Sequence, residues 1–279
     1  MELIHQNNWF CSVKDTHAAD LVGETVLIGT DIEAVGRLIV NKKTFAIIDA
    51  SWEIIRSPGC AMNGSGTVPG LIGVTAYFNA GSFLRRAVEG KPGELVRGLL
   101  AECVRGIIQA ETFLYKERGY PTPEAYGEYW ERSYLDSCRY YSNLNRISLR
   151  WPEYIAKIRP GDNYFNRSKT CSIYKQPGGV RATGILSDTY HEISVTMDLD
   201  REGQVTGCTG SFLRAPDVVC FENISLLKRF SGAVFPGCHK REIARIIGGA
   251  QGCEHLVNLL SDMEKTIARS GFRFNNVGA

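Results

Sequence analysis

The chain has 279 residues, 44% of them hydrophobic and 22% charged, with 32 Lys and Arg against 30 Asp and Glu. That content suffices for one large core or two small ones and excludes disordered and collagen-like classes. The basic residues are scattered and the net charge is only +2, so no electrostatic footprint for nucleic acid or for an anionic membrane is present.

The opening residues Met1 to Asn8 lack the basic-then-apolar order of a signal peptide, and no apolar run approaches the ~20 residues that cross a bilayer. A cytoplasmic protein without nucleic-acid or membrane partners is the expectation, with a small-molecule ligand or substrate as partner and a homo-oligomer left open. Nine cysteines are spread too widely for a CxxC clip or a disulfide scaffold, which fits reduced thiols.

In chain order, the first strong signal is Ile32 to Lys43, which alternates apolar and polar residues and then turns, as a half-buried strand entering a hairpin does. A second strand follows and ends on Ile55-Arg56-Ser57-Pro58. The glycine-rich run Asn63 to Gly70 has neither phosphate-loop nor dinucleotide spacing and reads as a loop or as a rim over a site. Leu95, Leu99, Cys103, Ile107 and Leu114 then form the apolar stripe of a helix. Glu102 and Glu111, nine positions apart on it, face opposite sides and cannot act as a carboxylate pair.

The stretch from Pro121 to about Gly184 is rich in aromatics. Pro123 to Trp130 has helical spacing, whereas Asp136 to Arg146 is polar and tyrosine-dense. The two readings are a packed connector and a lid that stacks on a planar ligand.

The pattern of the first part then recurs. His191 to Glu202 repeats the alternating strand 159 positions after Ile32, and Leu213-Arg214-Ala215-Pro216 repeats the arginine-proline phrase. Ala233-Val234-Phe235 answers Ala76-Tyr77-Phe78, and Gly249 to Cys253 answers Gly90 to Glu94. Leu256, Leu259, Leu260, Met263 and Ile267 form the closing helical stripe. An α+β fold of two tandem related units is expected, each an antiparallel sheet with helices on one face, packed as a pseudo-dimer. The first unit is placed at 1–120, the aromatic connector at 121–182 and the second unit at 183–279.

Candidate chemistry gathers in the second unit. Gly248-Gly249-Ala250-Gln251-Gly252 delivers Cys253 and His255 into the first turn of the last helix, where the dipole should lower the pKa of a thiol. Cys220, Cys253 and His255 are the candidate metal ligands. Three such ligands with an open position suit zinc or iron. His191, beside Asp188 and Glu192, is the candidate catalytic base with Asp188 assisting, or else it helps to orient a ligand. The first unit has Glu94 and Val96 where the second has Cys253 and His255. His239, in a turn that reads as the opening of a helix, and His17 are read as structural. No serine elbow, HExxH, kinase or EF-hand phrase occurs.

The order Gly184 to His191, Pro216, Cys220, Gly232 to Gly237, Gly248-Gly249 and Gly252-Cys253-Glu254-His255-Leu256 resembles an uncharacterised bacterial domain family with a closing Gly-Cys-x-His-Leu phrase. The likeness covers roughly residues 167 to 270 and implies no assigned activity. The second half is also similar, more distantly, to iron-sulfur scaffold proteins of the NifU and IscU type, with Asp200 to Gly203, Cys220 and Cys253 at the matching places. That likeness implies the fold and a cysteine-held iron-sulfur cluster, although the scaffold's first cysteine has no counterpart here. Three functions follow as expectations: a zinc or iron enzyme acting on a small carbonyl or aromatic molecule, a metal or iron-sulfur carrier without turnover, and a small-ligand binding module.

Overall fold

The computed structural model describes residues 1–90 and 92–275. Lys91, inside the Gly90 to Glu94 phrase, and the last four residues of the 183–279 unit lie outside the described residues. The fold is α+β, with a nine-stranded antiparallel sheet. The strands are β1 (Glu2–Asp15), β2 (Asp20–Gly29), β3 (Glu33–Asn41), β4 (Ile47–Arg56), β5 (Gly64–Thr67), β6 (Asn163–Gln176), β7 (Gly179–Asp188), β8 (Glu192–Asp200) and β9 (Val205–Arg214). They are hydrogen-bonded in the order β5-β4-β3-β2-β1-β6-β7-β8-β9. The helices are α1 (Ala80–Ala87), α2 (Gly93–Ala110), α3 (Pro123–Ser133), α4 (Trp151–Ile155), α5 (Lys240–Ile247) and α6 (Glu254–Arg269). No described helix is long and apolar enough to cross a membrane.

The chain divides into two compact units. One holds Trp9–Gly127 and Ile155–Ser168; the other holds Met1–Asn8, Glu128–Tyr154 and the residues from Lys169 onward. In the first of these, β2, β3 and β4 form consecutive antiparallel pairs, and α2 packs on β2 and β3. Glycine permits that approach, because a Cβ at Gly36 would lie 2.7 Å from Cβ of Leu99. The core beneath α2 contains Leu27, Ile32, Ala34, Ile54 and Leu99. The run that reads as a loop at Asn63 to Gly70 forms, in part, the short strand β5, paired to β4.

In the other unit β7, β8 and β9 pair in the same manner, and α6 packs on β7, where a Cβ at Gly184 would lie 2.6 Å from the sulfur of Met263. The register of β3 with β4 shifts at Glu33/Ala34 and at Ile39/Val40, and that of β8 with β9 shifts at Glu192/Ile193 and at Asp198/Leu199. Each pair of shifts recurs 159 positions later. Bulges bend and twist a strand at one defined place, and β3–β4 and β8–β9 carry theirs at matching positions. Gly73 and Gly90, both left-handed, likewise match Gly232 and Gly249.

Part of the aromatic connector, residues 163–182, lies within β6 and β7. Its remaining aromatic rings are largely core. Trp130, Tyr140, Tyr141 and Trp151 are buried, and Trp130 donates its indole N–H to the Tyr141 hydroxyl at 2.6 Å.

Candidate functional site

The site is built on the turn between β7 and β8. The Asp188 N–H donates to the His191 carbonyl at 2.8 Å, closing the turn. Asp188 Oδ1 accepts the main-chain N–H groups of Tyr190 (2.8 Å) and His191 (2.7 Å). This local capture of backbone by a short carboxylate is the habit of Asp in turns. The same oxygen lies 3.2 Å from Nδ1 of His191, so the turn that Asp188 makes also brings the imidazole back against its carboxylate.

A second imidazole arrives from α6. Gly248 to Gly252 form a tight connection in which the Cys253 N–H donates to the Ile247 carbonyl at 2.9 Å. A Cβ at Gly252 would run into that carbonyl, and one at Gly248 would lie 2.6 Å from the Ala244 carbonyl. Only glycine allows the chain to pass here, which sets the entry of α6 and places His255 in its first turn. Nε2 of His255 stands 3.8 Å from Asp188 Oδ2, and the two imidazole centroids are 3.8 Å apart with planes tilted by 31°.

Asp188, His191 and His255 thus each offer one ligand atom within 4.8 Å of the others. The Asp188 side chain is fully buried, while those of His191 and His255 keep 10% and 20% exposure. A buried carboxylate needs a cation or several donors to offset lost hydration. Here Oδ1 is taken by N–H groups, and Oδ2 faces His255. Around the turn, the Tyr154 hydroxyl donates to the Tyr190 carbonyl at 2.9 Å and Trp151 packs edge-on against the buried Tyr190 ring. Burial pushes the Tyr154 phenol above its ordinary range, outweighing the nearby Arg214 cation.

The two candidate catalytic residues, Asp188 and His191, therefore meet one candidate metal ligand, His255. The other two candidates, Cys220 and Cys253, are not in this group, and among the described residues no other group of three His, Cys, Asp or Glu comes as close. Cys220 is buried in the 3-10 helix Val218–Phe230, where burial pushes its thiol up to about 12. Cys253 occupies the N-cap position of α6 with no side-chain capping hydrogen bond, and burial raises its pKa far above the ordinary thiol value. The expected lowering by the helix dipole does not occur, because losing solvent costs a thiolate more than a helix end returns. Both cysteines are buried.

The equivalent turn of the other unit has the same backbone and different side chains. The Gly29 N–H donates to the Ile32 carbonyl at 2.7 Å, with Gly29 and Ile32 standing where Asp188 and His191 stand. Val96 takes the place of His255, and Ile32 and Val96 are both buried. His239 is the N-cap residue of α5, its main-chain N–H donating to the Glu242 carboxylate at 2.7 Å, in line with the structural reading of that histidine.

Residues 171–269 match a family model described as a protein of unknown function, DUF2889. All three members of the cluster lie inside that match. No curated protein and no solved structure matches the chain.

Proposed function

We propose that the chain is a metal-dependent enzyme acting on a small carbonyl or aromatic molecule, with zinc or iron held by Asp188, His191 and His255. The observation that carries this reading is the convergence of two imidazoles and one carboxylate within 4.8 Å. Two histidines and a carboxylate are the donor set of catalytic zinc and of non-haem iron, which leave positions open for a substrate. Asp188 would contribute its carboxylate, whose Oδ2 faces His255 at 3.8 Å. The metal would supply Lewis-acid activation of a carbonyl or of water, and the residual exposure of the imidazoles offers the route of approach.

The carrier and iron-sulfur reading has less support. It calls for accessible thiolates, and Cys220 and Cys253 are buried with raised pKa values. The shared bulges, turns and glycines support descent of both units from one ancestral unit. On that reading the unit with Gly29, Ile32 and Val96 has no site, and one metal per chain is expected.

Metal analysis of anaerobically purified protein tests the proposal. Zinc or iron near one per chain, lost in His255→Ala, is the expected result. A chain that neither carries a transition metal nor takes one up would overturn it, and a brown protein whose absorption disappears in Cys220→Ser and Cys253→Ser would favour a cluster instead.

A further inference from the structure

Arg214, the last residue of β9, reaches back across the turn that carries two of the three ligands. Its guanidinium donates to the Thr189 carbonyl at 2.9 Å, to the His191 carbonyl at 3.4 Å and to the Ser187 hydroxyl at 3.4 Å. With the Tyr154 hydroxyl on the Tyr190 carbonyl, every carbonyl of residues 189 to 191 is tied to a donor. No proximity alone requires such a clamp; a turn of this length is already closed by the Asp188 N–H.

The other unit carries the same device without the chemistry. Arg56 donates to the carbonyls of Gly29 (2.9 Å), Thr30 (2.8 Å) and Ile32 (3.4 Å). Each arginine also faces the first residue of the strand it pairs with, Arg56 with Glu33 at 4.0 Å and Arg214 with Glu192 at 3.9 Å. In one unit the clamped turn presents Gly29 and Ile32 to a core, and in the other it presents Asp188 and His191 to a site.

We propose that Arg214 is a positioning residue for the Asp188–His191–His255 site, acting through the main chain of the turn, and that Arg56 is its chemically silent twin. The inference rests on the metal reading given above. A planar guanidinium holds several carbonyls at once in one geometry, which an ammonium cannot do. Ligand atoms must be held to about half an ångström for a metal to select them. Loss of a partner that orients a ligand typically weakens metal binding by about 10- to 100-fold.

The test titrates the full chain with Co(II), read by its visible d–d absorption, in the wild type and in Arg214→Met, Arg214→Lys, Arg56→Met and Arg56→Lys. Thermal midpoints are recorded without metal. Comparable falls in thermal midpoint are expected for the two Met variants, with a 10- to 100-fold weaker affinity and an altered spectrum for Arg214→Met alone. Arg214→Lys should fall between wild type and Arg214→Met, while both Arg56 variants keep wild-type affinity to within about twofold. If Arg214→Met does not fold, the Lys pair decides: equal affinity in Arg214→Lys and Arg56→Lys overturns the positioning role. Wild-type affinity and spectrum in a folded Arg214→Met would also overturn it and leave the metal reading intact. A wild type that binds no Co(II), zinc or iron removes both.

Discussion

Asp188 holds the β7–β8 turn and, in the proposed site, a metal, and two substitutions tell these tasks apart. In Asp188→Asn the retained carbonyl oxygen still accepts the N–H groups of Tyr190 and His191, so the turn persists while the charge and the carboxylate oxygen facing His255 are lost. In Asp188→Ala both N–H groups lose their acceptor in a buried setting, at about 1–3 kcal/mol each, or about 2–6 kcal/mol in all. Without metal, Asp188→Asn should therefore stay close to the wild type and Asp188→Ala should be clearly destabilised. Metal at 100 times its dissociation constant adds about 2.7 kcal/mol to a folded binder, which for a chain of this size is roughly 5–10 °C in Tm. Calorimetry with zinc and with chelator reads both effects. The wild type should show the metal-dependent shift, and neither variant should. An Asp188→Asn protein that keeps the full shift would refute the assignment of Asp188 as a ligand, and an Asp188→Ala protein as stable as the wild type in chelator would refute its role in the turn.

Cys253→Ser should leave metal content unchanged, because Cys253 lies outside the ligand group, and plasma emission spectroscopy of the variant checks this. In the native protein, thiol titration near pH 8 should register exposed Cys60 promptly and Cys220 and Cys253 only on unfolding; rapid reaction of the latter two would contradict their burial. Acid stability should depend on Asp15. Burial pushes its carboxyl up, but the Lys42 ammonium, the Tyr164 hydroxyl and the His17 N–H outweigh it and hold the pKa down to about 2. A depressed carboxyl stabilises the fold fully above its unfolded pKa of about 3.9 and loses that contribution as the pH falls through about 2. Asp15→Asn should accordingly flatten the dependence of Tm on pH between about 4 and 2, and an unchanged slope there would exclude the assigned partners.

Much of the architecture was written in short-range patterns. The alternation in Ile32 to Lys43 and in His191 to Glu202 marked β3 and β8, since a strand with one buried face must alternate. The arginine-proline phrases marked the ends of β4 and β9, and the stripes beginning at Leu95 and Leu256 marked α2 and α6. Strands β1, β2, β6 and β7 were less legible. Their polar positions are partly buried, as with His5, Asn7, Arg167 and Lys169, so binary patterning fades where a buried polar group finds its partner far along the chain. Lys169 with Asp262 and Arg167 with Glu102 are such pairs.

The chemistry divided along the same line. Residue types and local phrases by themselves singled out Asp188 beside His191 and the glycine turn that delivers His255, because an Asp three residues before a His and a Gly-rich helix entry are local facts. Which of these side chains meet was decided by the tertiary structure. The packing of α6 on β7 brought His255 to Asp188, while Cys253, two residues earlier, is buried, so that desolvation overrode the helix dipole. Distance along a chain carries no information about distance in space, and the sign of a pKa shift depends on solvent that only the packed structure removes.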